Sequence, residues 1–313
     1  MTFVQNPEVA AALADLMGDA VPQPATTPHE IRAAVAATYP VLTARLPVQP
    51  VTERTFTATT ADGGELRLGW FAPADRAGNP SAAVVHAHGG GMIAGSVETL
   101  APFVREYVGA SGVPFLSVEY RLAPESTGTT LAEDVYTGLT WLHEHAAELG
   151  VDPARIALMG ESAGAGLAAG AAILARDNGV AVARQILVYP MLDDSNVDPD
   201  PFLDGIATWS YRDNRLGWDA LLGERRGGAD VPAVAAPARL TDFTGIAPAY
   251  LEVGALDIFR DETIAYACGL LAAGIDAELH VLPGLVHGWD HYAIGSTIRT
   301  RVMRFRIDAI TSL

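Results

Sequence analysis

Five residues, Gly160-Glu161-Ser162-Ala163-Gly164, join an apolar run (RIALM, residues 155–159) to an alanine-rich segment of helical pattern (SAGAGLAAGAAILARDN, residues 162–178). A chain that passes from strand to helix within so few residues must turn sharply at the serine. Side chains two positions away on either side would collide with neighbouring backbone, so glycine is needed at both places. The turn strains the serine backbone and pushes its hydroxyl out at the end of the strand. The amide of Ala163, at the start of the helix, then points toward the same space.

That junction implies a parallel sheet with helical crossovers, and the rest of the chain repeats the pattern. Short apolar or alternating runs predict strands at SAAVVHAH, VPFLSVEY, RIALMG, ARQILVYP, APAYLEVG and AELHVLP, separated by helical segments such as LAEDVYTGLTWLHEHAAEL. Ahead of them, RTFTATTA and ELRLGWFAP flank Asp62-Gly63-Gly64, a turn signal for an antiparallel hairpin. The fold class is therefore α/β: a mostly parallel twisted sheet of about eight strands with helices on both faces. With 313 residues, half of them hydrophobic, the chain can fill one large core. In such sheets ligands bind beyond the carboxyl ends of the strands.

Two segments fall outside the alternation. Residues 1–48, helical and proline-rich, and residues 193–236, inserted before the strand near Tyr250, are expected to form a helical cap over a catalytic domain made of residues 49–192 and 237–313. Phe3, Leu13, Leu16, Met17, Phe202, Trp209, Tyr211 and Trp218 either supply apolar walls for it or simply cover the core. The first residues lack the basic flank and apolar run of a secretory signal, and no stretch reaches the ~18 apolar residues of a membrane span. Cys268 is the only cysteine, so no internal disulfide forms; its helical setting predicts a buried filler, and the expected location is cytoplasmic. The net charge of −17, with arginine as the only basic residue besides histidine, opposes nucleic acid and anionic membranes and favours neutral or cationic small molecules.

Ser162 is a candidate nucleophile, and a second feature supports it. His88-Gly89-Gly90-Gly91 follows the strand AVVHA, and its glycines allow backbone N–H groups to approach an oxyanion; Gly89, Gly90, Gly91 and Ala163 are the candidate donors. A serine needs a base, and the base needs an orienting acid, in the chain order nucleophile, acid, histidine. Asp257 follows AYLEVG and His287 follows AELHVLP, each just past a strand end. His291 is a rival base one helical turn beyond His287. Asp261 and Glu262 are rival acids, placed by their dipole-favouring positions in the first turn of the next helix.

Other chemistries do not close. Gly164-Ala165-Gly166 with Gly170 lacks the ribose-binding acid of a dinucleotide loop. His86-Ala87-His88 has no further ligands, and the helix beginning His143-Glu144 has Ala147 where a zinc motif needs histidine. Asp194, Asn196 and Asp198 start like a calcium loop, but Pro199 replaces its glycine, which leaves a solvated acidic rim as the expectation. No cofactor and no metal are expected.

Taken together, His88–Gly91, Tyr120-Arg121-Leu122-Ala123-Pro124-Glu125, Gly160–Gly164, Asp257-Ile258-Phe259-Arg260-Asp261-Glu262 and His287-Gly288-Trp289 resemble the hormone-sensitive-lipase-like (family IV) bacterial esterases. The resemblance spans residues 81–290. It implies an α/β-hydrolase fold, a Ser162–His287–Asp257 triad that hydrolyses small to medium acyl esters through an acyl-enzyme, and a homodimer. Glu161 stands where that family often has aspartate or threonine, and Met92 where it has an aromatic. The same triad also serves amide or lactone hydrolysis. Plant hormone receptors of this scaffold have lost the histidine, and His287 argues against that reading.

Overall fold

The computed structural model describes residues 4–18, 24–75, 80–203 and 205–313. Phe3 lies outside them. In chain order the elements are α1 (Pro7–Met17), α2 (Pro28–Thr43), β1 (Val51–Thr59), β2 (Glu65–Pro73), β3 (Ser81–Ala87), α3 (Val97–Ser111), β4 (Phe115–Val118), α4 (Thr130–Glu144), β5 (Val151–Glu161), α5 (Ala163–Asp177), β6 (Gln185–Val188), α6 (Tyr211–Leu222), β7 (Ala249–Gly254), α7 (Arg260–Ala272), β8 (Ala277–Leu282), α8 (Trp289–Tyr292) and α9 (Thr297–Thr311). All eight expected strands form.

They build one sheet in the order β1-β2-β4-β3-β5-β6-β7-β8. β1 pairs antiparallel with β2, and β2 with β4, while the remaining neighbours run parallel. The first hairpin closes between Thr59 and Glu65, and Gly63, at φ 85°, takes the left-handed position that the turn requires. β3, β4, β6 and β7 are buried on both faces apart from Ser81, which is why they read as continuous apolar runs; the edge strand β8 is half-exposed.

Along β3 the two faces separate residue by residue. Val84 joins a core layer with Val97, Ala101, Val104 and Val108 of α3 and Ile310 of α9, whereas Ala83 and Val85 join the layer under α4, α5 and α7. α5 is rich in glycine and alanine because it lies against backbone: a Cβ on Gly166 would stand 2.1 Å from the Met191 carbonyl, and one on Gly170 2.3 Å from that of Val234. The helix that follows Ser162 is thus wedged between strand ends and the loop after β6.

Two expectations are corrected. Cys268 is exposed, not buried: Ala267 and Leu270 face the core on α7, while Cys268, about 100° round the helix, shares the outer side with Leu271. Asp194 is no part of a solvated rim. It is fully buried, with Arg239 donating to both its oxygens at 2.5 and 2.9 Å, and the Gly227 amide adds a third bond at 2.7 Å. Among the described residues no helix is long and apolar enough to cross a membrane.

Candidate active site

β5 ends at Glu161 and α5 begins at Ala163, so Ser162 alone makes the turn, at φ 56° and ψ −123°. A non-glycine residue keeps such strain only where its surroundings over-determine it. Here the Ser162 amide donates to the Val188 carbonyl at 2.9 Å, and the Ser162 carbonyl accepts from the Met191 amide at 3.1 Å. The flanking glycines are steric necessities, as expected. A Cβ on Gly160 would lie 2.3 Å from the Gly164 carbonyl carbon, and one on Gly164 2.0 Å from the Ala87 oxygen and 2.4 Å from that of His88.

Three side chains distant in sequence meet at this turn. His287 Nε2 stands 2.8 Å from Ser162 Oγ, and His287 Nδ1 stands 2.8 Å from Asp257 Oδ2. An ionised carboxylate can only accept, which assigns the proton to Nδ1 and leaves Nε2 to accept from the serine hydroxyl. Asp257 is fully buried, and its other oxygen accepts from the Phe259 amide at 2.9 Å. Ser162 and His287 are 7% and 8% exposed.

The imidazole is boxed by aromatic edges, Tyr189 at 4.8 Å and 70° and Phe259 at 4.9 Å and 89°, with Trp209 at 6.5 Å. Backbone bonds tie the acid turn to the histidine loop: Ala255 N to Leu282 O at 2.8 Å and Leu256 N to Leu285 O at 3.0 Å. Thr208 donates its hydroxyl to the His287 carbonyl at 2.5 Å.

The glycine loop lies beside the serine. A Cβ on Gly89 would meet the Glu161 oxygen at 3.1 Å and Ser162 Cβ at 3.4 Å. Gly90 and Gly91 have φ of 132° and 62°, and a Cβ on Gly91 would strike the Trp209 ring at 2.4 Å. Among the described residues, no turn or loop hydrogen bond takes the amides of Gly89, Gly90, Gly91 or Ala163. The loop is braced from outside. Tyr120 stacks on His88 at 4.3 Å and donates to its carbonyl at 2.7 Å. The Arg32 guanidinium of α2 donates to the Ile93 and Ala123 carbonyls at 2.6 and 2.8 Å and pairs with Glu125.

The rivals are occupied elsewhere. His291 Nδ1 is 3.1 Å from the Tyr39 hydroxyl, with its ring against Phe103, and burial lowers its pKa. Asp261 pairs with Arg260. Glu262 is buried, which pushes its carboxyl well up, and it accepts from the Leu192 and Asp193 amides and the Asn196 side chain. His143, His145 and His280 bond to the Ala181 carbonyl, the Trp141 carbonyl and Glu278.

Sequence reasoning missed two buried networks around this site. Glu161 bonds to His86, which bonds to Ser117. Arg306, fully buried in α9, donates to Glu252 of β7 and at 2.6 Å to Asp290, which also accepts from the Tyr189 hydroxyl at 3.0 Å. Nothing in the local pattern around these residues announces either network.

A family model described as alpha/beta hydrolase fold matches residues 84–291. Among curated proteins, carboxylesterase NlhH of Mycobacterium tuberculosis (strain ATCC 25618 / H37Rv) is 38% identical over 227 residues, 67% of each chain. Hormone-sensitive lipase of Bos taurus is 36% identical over 110 residues, 35% of this chain and 15% of that protein. Among solved structures, bacterial heroin esterase superposes with a TM-score of 0.88 at 38% identity, covering 99% of this chain and 98% of that one. An esterase from the archaeon Pyrobaculum calidifontis superposes at 0.86 with 27% identity and the same coverage. The chain belongs to the α/β-hydrolase fold family, among the relatives of hormone-sensitive lipase.

Proposed function

We propose that this chain hydrolyses carboxylic esters of small to medium acyl length, with Ser162 as nucleophile, His287 as general base and Asp257 as its orienting acid. The observation that carries the reading is the row Ser162 Oγ, His287, Asp257, with 2.8 Å at each junction, beside amides that no turn or loop hydrogen bond takes among the described residues. The carboxylesterase relatives support it.

His287 removes the hydroxyl proton as Ser162 Oγ bonds to the ester carbonyl carbon, and the carbonyl oxygen becomes an oxyanion. Amides of the Gly89–Gly91 loop and of Ala163 receive that charge, each such donor contributing about 2.7–4 kcal/mol in comparable enzymes. The imidazolium then protonates the departing alkoxide, and Asp257 holds the cation meanwhile. Water, deprotonated by His287, then attacks the acyl carbonyl carbon; the bond to Ser162 Oγ breaks, His287 returns its proton to that oxygen, and the acid is released.

In this reading residues 1–48 and 193–236 form the cap of a catalytic domain made of residues 49–192 and 237–313; Arg32 on the Ile93 carbonyl and Thr208 on that of His287 support it. The charge of −17 favours neutral or cationic esters. An ionic-strength series on matched esters tests this, since salt should depress kcat/KM for the cationic one alone. A homodimer and a cytoplasmic location complete the reading. A sedimentation coefficient that stays at the monomer value across concentration would remove the first, and cell fractionation tests the second.

A panel of p-nitrophenyl esters tests the function itself. Turnover of short and medium acyl chains is expected, reduced about 10⁴-fold or more in Ser162→Ala. Undiminished turnover in that variant, or better rates on matched amides or lactones, contradicts the proposal.

A further inference from the structure

The oxyanion donors assigned above come from two different strands. The glycine loop leaves β3, Ala163 follows β5, and the last paired residues between these strands are Ala87 and Gly160. Beyond that rung no ladder bond fixes one donor relative to the other, yet an oxyanion requires both within about 2.7–3.1 Å.

A side-chain chain straddles this gap. His86 and Glu161 lie diagonally across the β3–β5 pair on one face, and Ser117 lies directly opposite His86 on β4. Ser117 Oγ stands 2.9 Å from His86 Nδ1, and His86 Nε2 stands 2.9 Å from Glu161 Oε2. All three residues are buried, on the face whose other members, Val84, Phe115 and Met159, are apolar. Glu161 directly precedes Ser162, and His86 stands three residues before Gly89.

Burial alone raises the Glu161 carboxyl, but facing His86, with the added field of His291 and Arg306, brings it below its ordinary value, so it is ionised. Its Oε1 is buried with no hydrogen-bond partner among the described residues. A charge held this way is poor design for stability, since apolar residues of similar volume commonly do as well or better. Its value lies in geometry: a charge-assisted bond at that point fixes the end of β3 against the nucleophile turn.

We propose that His86 and Glu161, with Ser117 behind them, are positioning residues that lock the oxyanion loop to the nucleophile strand, a reading that rests on Ser162 being the nucleophile. They touch no substrate and act through the backbone on either side of the reacting carbonyl.

The test compares wild type with His86→Leu, His86→Gln, Glu161→Gln and Ser117→Ala, each normalised to the serine titrated by a fluorophosphonate and mapped by mass spectrometry. His86→Leu should lower kcat on p-nitrophenyl acetate about tenfold or more with little change in KM, because the loss falls on the transition state. His86→Gln, whose amide can still donate to Glu161, should recover most of it. Wild-type kcat per labelled serine in His86→Leu, whatever its melting temperature, overturns the proposal. Should that variant not fold, Glu161→Gln and Ser117→Ala carry the same reading: a fall in kcat at constant KM supports it, and unchanged kcat in both overturns it. Wild-type protein labelled somewhere other than Ser162 instead overturns the nucleophile assignment, so the two failures are distinguishable.

Discussion

A residue's neighbours in sequence announced part of the candidate site. Ser162, Asp257 and His287 were legible because each stands just past a strand end, and in this topology those ends lie along one edge. The glycines were legible through the turn they must make, and contacts at Gly160 and Gly164 explain the need. Gly164→Ala therefore forces its methyl against two carbonyl oxygens. The expected cost is about 1–3 kcal/mol in urea unfolding, with a loss of kcat, whereas an unchanged midpoint would show that the turn relaxes freely.

His88 was legible only as part of a loop; its burial depends on Tyr120 folding over it. Burial lowers its pKa from an ordinary 6.5 to about 4, outweighing the bond to the Gly89 carbonyl. The unfolded chain then binds a proton between about pH 6.5 and 4 that the native state refuses. Its contribution is fully present above pH 6.5 and declines as the pH falls toward 4, by a few kcal/mol in all. Urea midpoints measured across that window should fall more steeply for wild type than for His88→Gln, and parallel slopes would argue against a neutral buried imidazole.

Elements were easier to read than their partners. All eight strands follow from apolar runs and turn residues, but the order placing β3 between β4 and β5 does not, because local pattern carries no register. For that reason the Ser117–His86–Glu161 chain was invisible: it joins three strands across distant sequence. Cys268 was misread for a related cause. A small apolar residue in a helical run has no preferred side until the packed face is known, and Tyr266, Ala267 and Leu270 define that face. At this scale the segment carrying Thr208 and Trp209 has a specific consequence. Trp209 lies on Gly91, so Trp209→Ala should open space above the loop and raise kcat/KM for longer acyl esters relative to acetate by about tenfold. An unaltered chain-length profile would place the acyl group elsewhere.

Across the whole molecule, the C-terminal helix α9 connects parts that the chain order separates. Arg306 joins Glu252 on β7 to Asp290, three residues past His287, and Arg299 bridges the Asp290 carbonyl to Glu106 of α3. By pattern Arg306 is one more arginine on a polar helix; only the packing of α9 against the sheet makes it a core residue. Arg306→Met strands two buried carboxylates and should cost about 3–5 kcal/mol, read as a lowered denaturant midpoint. A midpoint within error of wild type would mean that those acids are relieved by water.

The proposed hydrolysis is covalent: in it the Ser162 oxygen carries the acyl group between two half-reactions. Rapid acid quenching during turnover of p-nitrophenyl acetate, followed by peptide mapping, measures it directly. An acetyl group is expected on the peptide containing Ser162, lost in Ser162→Ala and persistent in a His287→Ala variant given time to react. Acetyl confined to another side chain, or rapid turnover by an enzyme whose Ser162 is never modified, would contradict it.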